Sequence, residues 1–299
     1  MFPQRPVRLV VPFGVGGASD ALARAVGARL SQRWGVEIEF DNRPGEGAVE
    51  GATAAAQSDA DGHTLLFGTS TTHCIAPALH GALPYDPAAD FAPLARIGWA
   101  PNLLLVRRGL ATDVAELIVL ARAQPGRLTY ASAGAGQTIH LCAALFERLA
   151  GVSLTHVPYA SGSAAGLEDL VHGRVDLMFD NVLASLGKVR AGKVDVLAVA
   201  GATPLPALPA VPALVDAGVP GYAADIWMGL FAPRATPDAI VRTLQHDLVT
   251  VLGQTDLVAE LRDAGLMLDV AQGEHFADEI AANAAQWRAI VATCAIEPD

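Results

Sequence analysis

One stretch near the start of the chain combines a buried strand, a glycine-rich loop and the start of a helix. After Arg8 the sequence Leu-Val-Val-Pro-Phe is apolar and rich in β-branched residues, which is typical of a strand buried on both faces. Three glycines follow within Gly14–Gly17, and from Leu22 apolar residues recur at helical spacing. Either Ser19 or Asp20 can cap this helix. A strand, glycine loop and helix N-terminus in this order present backbone N–H groups to an anion.

The same loop does not match the two common nucleotide-binding fingerprints. The pattern G-x-G-x-x-G needs glycine or alanine where this chain has Ser19, and no Gly-Lys-Ser/Thr follows to make a P-loop. The loop therefore indicates an anion site without a nucleotide signature, or glycines that only make the turn. In an anion site, a side chain at Gly17 would occupy the ligand's place or require a positive φ that β-branched residues avoid.

The composition excludes several classes of protein. The chain has 299 residues, of which 52% are hydrophobic and 17% charged, so it is globular and long enough for two domains. The formal net charge of −11 argues against nucleic acid as a partner, and it means that any anion site must be local. No apolar run reaches the ~18–20 residues of a membrane span. No signal peptide precedes the first strand, so we expect either a cytosolic protein or a mature exported chain with an added Met1.

Strands and helices alternate along the chain, which predicts an α/β fold with mostly parallel sheets. A run of hydroxyl residues, Gly68–Thr72, follows a predicted strand, at the sheet edge where α/β proteins bind ligands; alternatively, it only caps the next helix. A second glycine-rich stretch, Ser132–Thr138, also leads into a helix. Two helix N-termini of this kind could face each other across a cleft and suit the two ends of a dicarboxylate.

Three further side chains have competing interpretations. Asp180 follows a buried strand and can either contact a ligand or cap the helix that begins at Val182, and the cap is preferred. Ser132 with His140 could form the reactive pair of a small-molecule hydrolase. No G-x-S-x-G elbow is present and no acid is placed to orient His140, so a structural histidine is favoured. A third alternative is a ligand sensor that docks on a signalling partner.

Short motifs follow one another along nearly the whole chain: Arg5–Phe13, Gly16-Gly17 with Asp20, Asn42–Gly45, Asp61-Gly62 before Thr64–Leu66, Leu83–Pro87, Asp90–Pro93, His156–Tyr159, Val175–Asn181 and Pro220–Tyr222. In this order they closely resemble the Bug family, the extracytoplasmic solute-binding proteins of tripartite tricarboxylate transporters. One departure is Gly14, where relatives often have a proline, and this should loosen the loop or enlarge the pocket.

The resemblance implies a two-domain type II periplasmic-binding-protein fold (a Venus flytrap), with the ligand held in a cleft between the domains by main-chain N–H groups and hydroxyls. We expect domain 1 at residues 1–101 and 226–299, and domain 2 at 102–225. The two clamps are the first loop, Phe13–Ser19, and the second loop, Ser132–Thr138. The implied ligand-binding residues are Phe13, Gly14, Gly16, Gly17, Ala18, Ser19, Thr69, Ser70, Thr71, Ser132, Ala133, Gly134, Gln137, Thr138 and Asp180.

The function implied by the resemblance is high-affinity binding of a small carboxylate, without chemistry. The ligand would be a mono-, di- or tricarboxylate or an acidic amino acid, delivered to the membrane subunits of a tripartite tricarboxylate transporter. The implied location is the periplasm, with the signal peptide already removed. We expect a monomer with no cofactor and no nucleic-acid partner. Metal binding is not expected, because the histidines and the three cysteines show no ligand spacing.

Overall fold

The computed structural model of the chain describes residues 2–134, 136–159 and 162–294. Two compact units are formed. The first contains the chain up to Trp99 and the segment Trp227–Gln286, and the second contains Ala100–Ile226 and the chain from Trp287 onward.

The final helix differs from the sequence-based division, which put residues 226–299 in domain 1. From Trp287 the chain belongs to the second unit. Trp287 is fully buried there, and Cys294 interacts electrostatically with Glu147 and Arg148 of the same unit. Residues 295–299 lie outside the described residues.

The first unit contains a mixed sheet with the strand order β11-β4-β10-β3-β1-β2. Its elements are β1 (Val7–Val11), α1 (Ala18–Trp34), β2 (Ile38–Asn42), a 3-10 turn (Glu46–Ala48), α2 (Val49–Ala56), β3 (Thr64–Thr69), a π-helical segment (Thr71–Ile75), α3 (Ala76–Leu79), β4 (Phe91–Trp99), β10 (Trp227–Pro233), α8 (Asp238–Leu252), α9 (Thr255–Asp263), β11 (Met267–Gln272) and the start of α10 (Gly273–Cys294). β1 is parallel to β2 and β3, whereas β10 is antiparallel to β3 and β4, and β11 is antiparallel to β4.

The second unit contains a sheet with the strand order β7-β6-β8-β5-β9. Its elements are β5 (Asn102–Val106), α4 (Val114–Ala123), β6 (Thr129–Ser132), α5 (Thr138–Ala150), β7 (Thr155–Pro158), α6 (Ser163–Val171), β8 (Leu177–Asn181), α7 (Val182–Arg190) and β9 (Asp195–Val199). β6 is parallel to β7 and β8, and β5 is antiparallel to β8 and β9.

The prediction of mostly parallel sheets is therefore wrong, because both sheets are mixed. Two neighbouring strands are parallel when a crossover helix carries the chain back to the end of the sheet at which the first strand began. β5 and β10 instead follow the passages of the chain from one unit into the other, so the alternation rule does not apply to them. Each runs antiparallel to both of its neighbours.

β4 was not predicted, because Pro93 and Arg96 interrupt its apolar pattern. Pro93 pairs with Phe231 next to an irregularity in the register, where the missing N–H is tolerated. Arg96 is only 2% exposed, and it donates to Asp269 at 2.7 Å and to Glu279 at 2.8 Å. A buried guanidinium is accepted only with such partners, and these come from distant parts of the chain.

Aromatic side chains fill the interior of both units. Phe67, Trp227 and Phe231 are buried in the first unit, and Phe179 and Tyr222 stack at 6.2 Å in the second. None of the described helices is long and apolar enough to cross a membrane.

Candidate ligand-binding site

The first loop joins β1 to α1 and leaves the N-terminus of α1 without a side-chain cap. The N-cap is Gly17, in an extended conformation, so the prediction that Ser19 or Asp20 caps the helix is wrong. The first intrahelical bond runs from the N–H of Ala21 to the carbonyl of Gly17 at 2.9 Å. The N–H groups of Ala18, Ser19 and Asp20 therefore have no acceptor within the helix.

Asp20 fixes the shape of the first loop from inside the first helical turn. Its carboxylate, 2% exposed, accepts the N–H of Gly16 at 2.8 Å, Nε of Arg24 at 2.9 Å and Nδ2 of Asn42 at 2.9 Å. The Asn42 amide also donates to the carbonyl of Phe13 at 3.1 Å. Burial acts to raise the pKa of Asp20, but these hydrogen bonds outweigh it and lower the pKa below its ordinary value. The N–H of Gly16 is thus used within the loop.

The two adjacent glycines of this loop have different roles. Gly16 has φ +81°, which favours glycine, whereas Gly17 has φ −78° and ψ 172°, which any residue adopts. Of the two reasons given for glycine at position 17, the positive φ is therefore wrong. A Cβ at Gly17 would meet only the carbonyl oxygen of Gly14, at an ordinary 3.5 Å. The turn does not need glycine at position 17, and the missing side chain leaves space beside the helix N-terminus.

The second loop repeats this arrangement between β6 and α5. The N-cap, Gln137, is extended and makes no side-chain cap, and the first intrahelical bond runs from Leu141 N–H to Gln137 O at 3.0 Å. The N–H of Gly136 donates to Nδ1 of His140 at 3.0 Å, as the N–H of Gly16 does to Asp20. The N–H groups of Thr138 and Ile139 therefore have no acceptor within the helix. Ala135 lies outside the described residues.

Ser132 contacts His156 and not His140, so the Ser132–His140 pair of the hydrolase alternative is not formed. Ser132 is fully buried, and its Oγ lies 2.6 Å from Nε2 of His156 and accepts the N–H of Gly134 at 3.0 Å. His156 lies on the neighbouring strand β7, directly opposite Tyr130 of β6. The serine hydroxyl therefore holds the second loop in shape.

We expect no hydrolysis of p-nitrophenyl acetate that depends on Ser132, because a fully buried hydroxyl already engaged by two groups cannot reach a substrate. The measurement compares the initial rates of the unchanged chain and Ser132→Ala at equal concentration. Hydrolysis that disappears in Ser132→Ala would make the chain an enzyme.

Asp180 is 1% exposed at the carboxyl end of β8, and neither of its carboxyl oxygens has a hydrogen-bond partner among the described residues. Burial raises its pKa to about 7, although the nearby N–H of Asn181 and hydroxyl of Ser163 act to lower it. The cap of α7 is Asn181, whose side chain accepts the N–H of Leu183 at 3.1 Å. The preferred interpretation of Asp180 as the cap is therefore wrong.

The register of the second sheet places Asp180 close to the second loop. β6 and β8 are parallel, with Ala131 opposite Met178, so Asp180 lies at the level of Ala133, the first residue after β6. A buried carboxyl group without a partner is costly unless another group supplies the hydrogen bond. This edge of the sheet thus offers both open N–H groups and an unsatisfied carboxyl group.

The hydroxyl run of the first unit is buried and largely engaged in folding. Ser70 Oγ accepts the N–H of Trp227 at 3.0 Å, Thr69 Oγ1 accepts the N–H of Thr71 at 3.1 Å, and all three residues are nearly inaccessible to solvent. The π-helical segment begins at Thr71, and within it burial lowers the pKa of His73 to about 3. The binding role of Thr69–Thr71 stays a prediction.

No cluster of three or more histidine, cysteine, aspartate or glutamate side chains that could hold a metal ion occurs within residues 2–134, 136–159 and 162–294.

A known protein family matches most of the chain. The family described as "Tripartite tricarboxylate transporter family receptor" matches residues 22–296. The chain belongs to this receptor family. The resemblance to the Bug proteins is confirmed as well, because the solved structure of the periplasmic binding protein BugD is 28% identical, with a TM-score of 0.89 over 99% of both chains.

Two solved structures of receptor-like proteins contain carboxylates. Rpa4515 of R. palustris, solved with adipate, is 39% identical, with a TM-score of 0.93 and complete coverage of both chains. MatC from Rhodopseudomonas palustris, solved with bound malate, is 35% identical, with a TM-score of 0.86 over 97% of this chain and 100% of MatC. The α/β fold of periplasmic binding proteins is confirmed for this receptor.

Proposed function

We propose that the chain binds a small dicarboxylate in the periplasm and delivers it to the membrane subunits of a tripartite tricarboxylate transporter, without catalysing a reaction. The observation that carries the proposal is that α1 and α5, one in each unit, both begin without a side-chain cap. Membership of the receptor family supports it, as do the dicarboxylates adipate and malate in the two similar structures.

A carboxylate at each helix N-terminus would replace the missing cap. The end of a helix carries roughly half a positive charge and open N–H donors, and each charge-assisted hydrogen bond is worth about 1.5–3 kcal/mol. Neither loop contains lysine or arginine, and the nearby Arg24 is paired with Asp20. The attraction is therefore local, which suits a chain with a net charge of −11.

The proposed contacts keep the predicted residues but change the role of three of them. The N–H groups of Ala18, Ser19 and Thr138 are assigned to the ligand, whereas those of Gly16 and Gly134 serve the loops themselves. Ser132 acts through Gly134 and does not touch the ligand. The other predicted residues keep their assignment to the ligand surroundings: Phe13, Gly14, Gly17, Thr69, Ser70, Thr71, Ala133, Gln137 and Asp180.

A thermal-shift screen of the purified chain tests this proposal. The panel contains adipate, malate and succinate, with hexanoate, glucose and calcium chloride as comparisons. We expect dicarboxylates to raise the melting temperature, since a ligand at one hundred times its Kd stabilises the folded state by about 2.7 kcal/mol. A shift produced only by glucose or by calcium would reject the proposal.

Delivery needs a separate experiment. Vesicles containing the transporter membrane subunits should take up the labelled dicarboxylate only when the purified chain is added to the outside. Uptake at the same rate without the chain would reject the transport part of the proposal and leave the binding part standing.

A further inference from the structure

The third residue of each helix shapes the loop that precedes it. In the first loop this residue is Asp20, which accepts the N–H of Gly16, and in the second it is His140, which accepts the N–H of Gly136. Both acceptors lie four residues beyond the glycine that they hold. The two loops thus share one architecture, with a carboxylate in one and an imidazole in the other.

The ring of His140 is held in place by a stack of aromatic rings. It lies parallel to the ring of His156, with a centroid distance of 4.3 Å and an interplanar angle of 3°. The ring of His156 stacks in turn on buried Tyr130 at 4.8 Å. The orientation of Nδ1 towards the second loop therefore depends on packing within the second unit.

The two stacked histidines are connected by hydrogen bonds to every second residue of the second loop, at positions 132, 134 and 136. His156 contacts Ser132, whose hydroxyl accepts the N–H of Gly134, and His140 accepts the N–H of Gly136. Gly134 has φ +123° and Gly136 has φ +71°, so both glycines adopt backbone conformations that other residues rarely take. Glycine-rich backbone loses much conformational entropy on ordering, and these side-chain hydrogen bonds offset part of that cost.

We propose that His140 is a positioning residue of the ligand site: its Nδ1 orients the second loop so that the N–H groups of α5 face the ligand carboxylate. The inference rests on the proposed function. His140 itself does not touch the ligand. Nδ1 must be unprotonated to accept the N–H of Gly136, so the other ring nitrogen carries the proton of the neutral imidazole.

Two variants of His140 distinguish the effect of its hydrogen-bond acceptor from the effect of its aromatic ring. In His140→Asn, Oδ1 can occupy the place of Nδ1 and keep an acceptor, whereas His140→Leu puts a methyl group there; both lose the stack on His156. We expect His140→Leu to weaken adipate binding about tenfold, the loss of one neutral hydrogen bond, and His140→Asn to stay within about threefold of the unchanged chain. Titration calorimetry with adipate measures both affinities.

Amide hydrogen exchange of Gly136 in the ligand-free chain gives an independent readout. We expect protection of this amide to be kept in His140→Asn and lost in His140→Leu. Equal adipate affinities of the two variants, or equal protection of Gly136, would overturn the positioning role. If the unchanged chain binds no carboxylate, the proposed function fails instead, and exchange at Gly136 still decides whether His140 holds the loop.

Discussion

Gly17→Val should weaken dicarboxylate binding on the order of 100-fold while leaving the fold intact, because one or two charge-assisted hydrogen bonds of about 1.5–3 kcal/mol are blocked. The backbone at Gly17 is extended, and a Cβ there meets only the carbonyl oxygen of Gly14 at 3.5 Å. The loop backbone therefore accepts a Cβ here, and we expect the two methyl groups of valine to occupy the space beside the open N-terminus of α1. The poorer N-cap costs about 1 kcal/mol of stability at most.

The matched control is Ala28→Val, which adds the same side chain at an exposed position further along α1. Calorimetry with adipate and urea unfolding are run on both variants. The control should keep its affinity. A Gly17→Val chain that binds adipate normally would remove the first loop from the site, and a large loss of stability would show that glycine serves the turn.

Asp180→Asn should change the free energy of unfolding differently at the two ends of a pH range. Relative to the unchanged chain, the variant should be more stable at pH 8, and its advantage there should exceed its effect at pH 5 by about 3 kcal/mol. The pKa of Asp180 is raised by burial from 3.8 to about 7. Between these values the folded chain holds a proton that the unfolded chain has released. The stability that Asp180 contributes is thus complete below pH 3.8 and is lost as the pH rises towards 7. Asparagine removes this dependence.

Urea unfolding at the two pH values measures the effect, and Asp216→Asn, an exposed carboxylate of the same unit, is the control. If Asp180 also faces the ligand, its ionised form repels a dicarboxylate, so Asp180→Asn should bind adipate more tightly than the unchanged chain at pH 8 but not at pH 5. An equal effect of Asp180→Asn on stability at both pH values would mean that the carboxyl group is not held protonated.

Local sequence patterns predicted the parts of the fold whose causes are local. The apolar run after Arg8, the glycines and the helical spacing from Leu22 led to β1, the first loop and α1 in their observed order. The second loop was recognised by the same pattern. Turns, strands and helix starts are determined mainly by neighbouring residues, so one stretch of sequence is enough to predict them.

The contributions of Asn42 and His156 to the two loops were missed because their partners come from elsewhere in the fold. Asn42 lies at the end of β2 and reaches Asp20 and the carbonyl of Phe13, and His156 reaches Ser132 from the neighbouring strand. The sequence did contain one indication that these residues matter. The motifs shared with the Bug proteins include Asp20, Asn42 and His156. No local pattern shows that Ser132 meets His156 and not His140, because only the register of β6 and β7 decides it.

Calorimetric titration of the purified chain with adipate and with its neutral diester, dimethyl adipate, shows whether two carboxylates are what the site recognises. The two molecules have the same chain length between the two carbonyl groups, and they differ in the two charged groups that the helix N-termini are proposed to hold. We expect saturable binding of adipate and no detectable binding of the diester. Binding of dimethyl adipate as tight as that of adipate would mean that the helix N-termini do not hold the ligand's carboxylates.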